Sequence, residues 1–236
     1  MQVMKRANFL PRLVICLTVC WGLPSTVAFG KEVKVGTTTL ILPAPPGYCE
    51  LDTNNTTEAY AISVTEKMLS TNRLLAFSAD CEQLAEYRTT RGATPLDNLA
   101  QYQTAVSWEN RQLPGAPESI IRSVCQVMRA NTERLALITT PEIKARAEQV
   151  LKNAKVNDIQ PLGVVAEEPL ACYVALLKKF TDGRTEKTQA VVFVATIVNS
   201  KLVYYYLYAP YVSSETVTDT VKQLRTNVAA LWAANP

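Results

Sequence analysis

Two hydrophobic periods alternate along the chain. Val33 to Leu42 is rich in β-branched residues and predicts a first strand. Pro43-Ala44-Pro45-Pro46-Gly47 stops it, because proline lacks the amide donor a sheet needs. Asp52 to Thr57 is a polar turn with several helix-capping residues, and Tyr60, Val64, Met68 and Leu69 then mark one side of a helix. Leu74 to Ala79 predicts a second short strand and Glu82 to Arg88 a short helix. Further on, Tyr102, Thr104, Val106 and Trp108 alternate with Gln103, Ala105, Ser107 and Glu109, which predicts a strand. Leu96, Leu99 and Tyr102 in the same stretch also suit a helix.

After the Leu113-Pro114-Gly115-Ala116-Pro117 break, Pro117 suits a first helical position, and Ile120, Ile121, Val124, Cys125 and Met128 form an apolar helical face. Thr139-Thr140-Pro141-Glu142 predicts a new helix start. Thr140 is the cap, Pro141 is pre-shaped for the first turn, and Glu142 meets the positive end of the helix dipole. Ile143, Ala147, Val150 and Leu151 are its expected buried side. Four strands follow, over Leu162–Ala166, Leu170–Phe180, Thr188–Val198 and Leu202–Tyr208. Glu167-Glu168-Pro169 separates the first pair. Asn199-Ser200 separates the last, and asparagine tolerates the left-handed backbone of a tight hairpin. Ser213 or Ser214 caps a final helix, in which Val217, Val221, Leu224, Val228 and Leu231 form a stripe that should lie on the sheet. The order predicts an α+β fold, a mostly antiparallel sheet covered by helices.

The N-terminus changes the picture of where the protein works. Lys5, Arg6 and Arg12 form a positive region, Leu13 to Leu23 is apolar, and Ala28-Phe29-Gly30 supplies small residues at a cleavage tripeptide. Residues 1–30 are therefore expected to be a signal peptide and 31–236 a single α+β domain. The apolar run is too short to span a bilayer before Pro24, so no stable membrane span is expected after cleavage. The chain has 24 basic and 21 acidic residues, and three of the basic ones lie in the signal segment, which holds no acid. The mature chain is then neutral, with no basic patch for nucleic acid. Cys16 and Cys20 leave with the signal; Cys49, Cys81, Cys125 and Cys172 remain. In an oxidising compartment these allow two bridges in three connectivities. Cys49 and Cys81 each start a loop after a predicted strand, which makes them the expected pair. Cys125 and Cys172 sit in apolar stretches, as either a second bridge or buried free thiols. A periplasmic or secreted location follows.

The strand ending in Leu42-Pro43-Ala44-Pro45-Pro46-Gly47-Tyr48, the C-terminal hairpin and the final helix together resemble the PsbP/DcrB-like α/β sandwich. The signal-bearing whole is similar to exported proteins of Gram-negative bacteria. The resemblance covers about half of the mature chain. It implies a binding or accessory role without catalysis in an exported compartment, and it brings no catalytic residues.

Candidate chemistry is sparse. The sequence contains no histidine, which removes Ser-His-Asp triads, imidazole acid–base catalysis and His-ligated metal sites. There is no GxSxG or SxxK nucleophile motif and no glycine-rich phosphate loop, so no cofactor is implied. Glu167 and Glu168 are adjacent, but neighbouring strand residues point to opposite faces and do not converge. The uneven feature is tyrosine. Tyr204, Tyr206 and Tyr208 share one strand face while Tyr205 takes the other. That row of phenols is either a binding face for a small ligand or envelope protein, or an amphipathic strand packed under a helix. The expected function is an exported binding or accessory protein of the cell envelope. The alternatives are a subunit of an envelope complex and a histidine-free enzyme built on carboxylates or tyrosines.

Overall fold

The computed structural model describes residues 30–236 apart from 112, 114, 151–153 and 184. The expected signal segment, with Cys16 and Cys20, therefore lies outside the described residues except for Gly30. Strands β1 (Lys31–Val35) and β2 (Thr38–Leu42) form a separate antiparallel hairpin. The sequence reads Val33–Leu42 as one strand; it is two. Gly36 at φ 60° makes the turn, and a side chain there would collide with the carbonyl of Glu109.

The remaining strands form one seven-stranded antiparallel sheet. In chain order they are β3 (Tyr48–Glu50), helix α1 (Thr56–Met68), β4 (Asn72–Asp80), helix α2 (Cys81–Thr89) and β5 (Leu99–Ala105). A 3-10 turn (Val106–Trp108) and helix α3 (Pro117–Val150) come next. They are followed by β6 (Ala154–Glu168), β7 (Ala171–Asp182), β8 (Thr185–Val198), β9 (Lys201–Pro210) and helix α4 (Ser214–Ala233). The spatial order is β3-β4-β5-β9-β8-β7-β6. Helix α3 thus carries the chain from the middle of the sheet to its far edge, and the β6–β9 meander walks back until β9 pairs with β5. This makes the tyrosine-rich strand central, flanked on both sides.

Local chemistry explains most ends. The Asn55 side chain accepts from the amides of Thr57 and Glu58 and starts α1; Asp80 caps α2; Ser213 caps α4 in a capping box. Asn199 and Ser200, both at positive φ, turn β8 into β9. The Leu99–Ala105 stretch is a strand, but it stops before Val106 and Trp108, which enter the 3-10 turn.

Three readings need correction. Pro141 lies inside α3 rather than starting a new helix, so Thr140 is not a cap. An interior proline loses one helical hydrogen bond and crowds the carbonyl four residues back, and the helix is anchored on both sides of it, at Cys125 and Ala147. In α1 the apolar side read from Tyr60 is wrong: Tyr60 is 57% exposed, while Glu58 is fully buried. Ala61 and Ile62 supply the packing instead. Strand β6 begins well before Leu162 and carries Pro161, which an edge strand tolerates.

Candidate functional site

The two faces of the sheet differ in what covers them. On one face α4 lays Val221, Leu224, Val228 and Leu231 over Val192, Val194, Val203, Tyr205 and Leu207. Tyr205 is fully buried and stacks on Tyr102, with ring centroids 4.0 Å apart and planes 11° apart. Its hydroxyl accepts from Asn227 Nδ2 at 3.2 Å, and the Tyr102 hydroxyl donates to the Pro43 carbonyl at 2.9 Å. The part of this face under α4 is apolar core.

The other face is covered in pieces. Near β4, α1 and α2 pack on Phe77, Ala79 and Leu99. Near β7 and β8, the start of α3 packs Ile121 and Cys125 on Cys172, Ala195 and Ile197. The strand registers place Tyr204, Tyr206, Tyr208, Gln101, Gln103, Phe193 and Lys178 on this same face, and Phe193 and Tyr204 pack against the cluster under α3. Tyr204, Tyr206 and Tyr208 are half-buried, neither an open patch nor closed core.

This face is concave. β5 and β6 are separated in the sheet by three strands, yet Leu99 of β5 and Lys155 and Val156 of β6 line one cavity of about 170 Å³, together with Lys178, Phe180 and Gln189. A flat sheet would hold those strands far apart, because each strand adds roughly 4.8 Å. Register shifts at Val156/Asp158, Pro161/Gly163 and Val164/Ala166 in β6 supply the bending, since a bulge bends its strand and strengthens the twist. A neighbouring cavity of about 300 Å³ shares Asp97, Phe180 and Gln189 with the first.

Beside these cavities the same sheet face carries a defined polar and aromatic network. Gln101 Oε1 accepts from Gln103 Nε2 at 2.9 Å and from the Tyr208 hydroxyl at 3.2 Å, and Asn72 Nδ2 donates to Gln103 Oε1 at 3.0 Å. Phe193 and Tyr206 stack at 4.9 Å, and Tyr204 meets the edge of Phe193 at 6.4 Å. Lys178 Nζ sits 5.2 Å from the Phe180 ring centroid and 5.6 Å from that of Tyr208. Burial lowers the Lys178 ammonium to about 8 and raises the phenols of Tyr204, Tyr206 and Tyr208. At neutral pH the phenols are therefore hydroxyl donors and the lysine is a cation. The cavity can set an apolar or planar body against Phe180 and offer the positive charge of Lys178.

The remaining candidate residues have structural work. Cys49 is bonded to Cys81, joining β3 to α2. Cys125 is bonded to Cys172, joining α3 to β7, so these two are buried but not free thiols. Glu167 and Glu168 end β6 rather than lie in the turn, and they diverge: Glu167 pairs with Arg129 of α3 at 2.7 Å and Glu168 with Arg225 of α4 at 2.8 Å. Each carboxylate ties one helix to its own side of the sheet. Among the described residues no three metal-ligating side chains gather. A further cavity of about 560 Å³ lies between the Pro43–Gly47 loop, Tyr48 and Tyr102, but its charged wall, Lys31 and Glu50, is already an ion pair.

Sequence reasoning missed Gln101, Gln103 and Lys178. The signal was present for the glutamines, which alternate with apolar residues in β5, but alternation alone reads them as solvent-facing. Lys178 carries no signal of its own beside Lys179.

By its fold the chain is an α+β protein with helices on both faces of an antiparallel sheet. No protein-family model and no curated protein matches it. Among solved structures, the crystal structure of the Saccharomyces cerevisiae Ran-binding protein Mog1p aligns over 87% of this chain and 92% of that one, at 9% identity and a TM-score of 0.28. A likeness that loose carries no argument about fold detail or function.

Proposed function

We propose that this chain is an exported, non-catalytic binding protein of the cell envelope that takes a small ligand on its concave tyrosine face. The observation that carries the reading is the hollow itself. Lys178, Phe180 and Gln189 line it, and the half-buried phenols and buried amides of the same sheet face adjoin it through the contact of Lys178 with the Tyr208 ring. Export is supported by the charged and apolar N-terminal segment together with two disulfides, which persist in oxidising compartments. No helix among the described residues is long and apolar enough to cross a membrane. The PsbP/DcrB-like resemblance points to the same kind of role.

Intact-mass measurement tests both parts on protein purified gently from its host. The expected result is a chain starting at Lys31, with its remaining thiols bridged, that carries a small molecule released on denaturation. A full-length chain with free thiols in the cytosol would overturn export. Turnover of any substrate, abolished by Tyr206→Phe or Tyr208→Phe, would overturn the non-catalytic reading.

A second reading, a subunit of an envelope complex, is favoured by one surface feature. Leu162 and Val165, each 40% exposed, line a groove of about 420 Å³ with Val217 and Val221 of α4. Crosslinking in intact cells that traps a partner at Leu162→Cys would support it.

A further inference from the structure

The geometry points to a specific ligand class for the concave face: a small organic anion with an apolar or aromatic body, its negative group set against Lys178. The inference rests on the binding reading proposed above and adds the charge and shape of the ligand.

Lys178 is the reason. It stands on a central part of β7, opposite Gln189 of β8 and Ile159 of β6, and its side chain lies among rings and aliphatic groups. Among the described residues no carboxylate forms an ion pair with it. The nearby acid, Asp97, is engaged by Lys187 at 3.3 Å, and its backbone carbonyl accepts from Gln189 Nε2 at 3.0 Å. Lys155 lines the same cavity and Lys187 the adjoining one, so three cations face the paired cavities against one committed carboxylate. Charge there is unbalanced in favour of an anion. The Phe180 and Tyr208 rings hold the ammonium by its cation–π contacts, and ring faces carry no countercharge. A half-buried ammonium without an anion carries a desolvation cost, and a bound carboxylate, sulfonate or phosphate group offsets it.

Shape supplies the other half. Leu96, Leu99, Val156 and Phe180 form the apolar part of the cavity beside Lys178, which also holds Asp97, Lys155 and Gln189, and they suit a hydrocarbon or aromatic body. The Tyr208 hydroxyl donates to Gln101, which fixes the ring flat beneath the ammonium.

Fluorescence titration of the purified, disulfide-intact protein with two probes tests this. One is 1-anilinonaphthalene-8-sulfonate, an aromatic anion; the other is N-phenyl-1-naphthylamine, the same skeleton without the sulfonate. The expected result is saturable binding of one sulfonate probe per chain, about tenfold tighter than the neutral probe. Lys178→Met should weaken the sulfonate about tenfold and leave the neutral probe unchanged, and Lys178→Arg should restore the preference. If Lys178→Met does not fold, the ratio between the two probes on the unaltered protein still decides. Equal affinity for both, or a sulfonate affinity insensitive to Lys178→Met, would overturn the anion inference while leaving the binding face intact. Saturable binding of neither probe would overturn the binding face and this inference with it.

Discussion

The two faces of one sheet, built by alternate residues of the same strands, meet different fates. Tyr205 and Tyr206 are neighbours in β9. Tyr205 is sealed under α4, stacked on Tyr102 and hydrogen-bonded to Asn227. Tyr206 stays half-buried beside Phe193 and Tyr208. The helix stripe makes the difference. Helix α4 presents a regular apolar stripe that covers the middle strands and leaves Val203, Tyr205 and Leu207 buried beneath it. The concave face is covered in separate patches, by α1 and α2 near β4 and by α3 near β7 and β8, and cavities remain where β5 and β6 approach each other. A closed face is where stability resides; an interrupted one is where a ligand can enter.

The means of attachment also differ. Helix α3 is tied to the sheet covalently through Cys125–Cys172, whereas α4 rests on packing, the Glu168–Arg225 pair and the hydrogen bond from Trp232 Nε1 to Thr196 Oγ1 at 3.1 Å. The largest expected effect breaks that contrast. Replacing Cys125 and Cys172 together by alanine should lower unfolding free energy by about 4 kcal/mol in guanidinium titrations, because the bridge closes a loop spanning 47 residues. A loss under about 1 kcal/mol would mean that α3, like α4, is held by packing.

Next in size is Leu224→Ala, which removes a fully buried side chain from the α4 stripe. It should cost about 3 kcal/mol, while Leu162→Ala, 40% exposed on β6, should cost less than about 1. Equal losses would show that the β6 groove is as closed as the core.

Glu58 sharpens the comparison from the helical cover of the concave face. Its carboxylate is buried yet accepts from Arg88 Nε at 2.7 Å, from Arg88 Nη2 at 3.0 Å and from the Asp52 amide at 2.8 Å. Burial pushes its pKa up, but those donors together outweigh burial and hold it below the ordinary value. A depressed folded pKa contributes stability that is full above the usual carboxylate range, near pH 4, and lost as pH falls through the folded value. Stability should therefore drop on the acid side, and Glu58→Gln should flatten that drop and cost about 2 kcal/mol at pH 7. An unchanged acid limb in the variant would remove Glu58 from this role.

The smallest effect separates the two tyrosines directly. Tyr205→Phe should cost about 1 kcal/mol by stranding Asn227, and Tyr206→Phe should cost less than about 0.5. Reversal of that order in denaturant melts would invert the assignment of the faces.

Much of the fold was legible because its signals are local. The stripe from Val217 to Leu231, the Asn199-Ser200 turn and the caps at Ser213 and in the Asp52–Thr57 turn each depend on a few neighbouring residues. The misreadings have other causes. Gly36 splits a β-branched run that looks like one strand, Pro141 sits inside a helix it should have started, and Tyr60 faces out where Glu58 faces in. At Gly36 the turn is a local glycine signal inside a β-branched run, whereas at Pro141 and Glu58 contacts from distant elements, the Cys125 bridge and Arg88, go against the local preference.

The same division holds for the candidate site. Alternation within β9 alone determined that Tyr204, Tyr206 and Tyr208 share a face, because side-chain direction in a strand has a period of two. What shares that face was decided by topology. The meander returns β9 to β5, which brings Gln101 and Gln103 across from Tyr206 and Tyr204. The bulged β6 curls the sheet, which puts Lys178 in a hollow with β5 rather than on an open surface. Periodicity is a property of a short segment, but strand neighbours and curvature depend on contacts about 100 residues apart in the chain, as between Gln101 and Tyr208. Only the folded structure determines those.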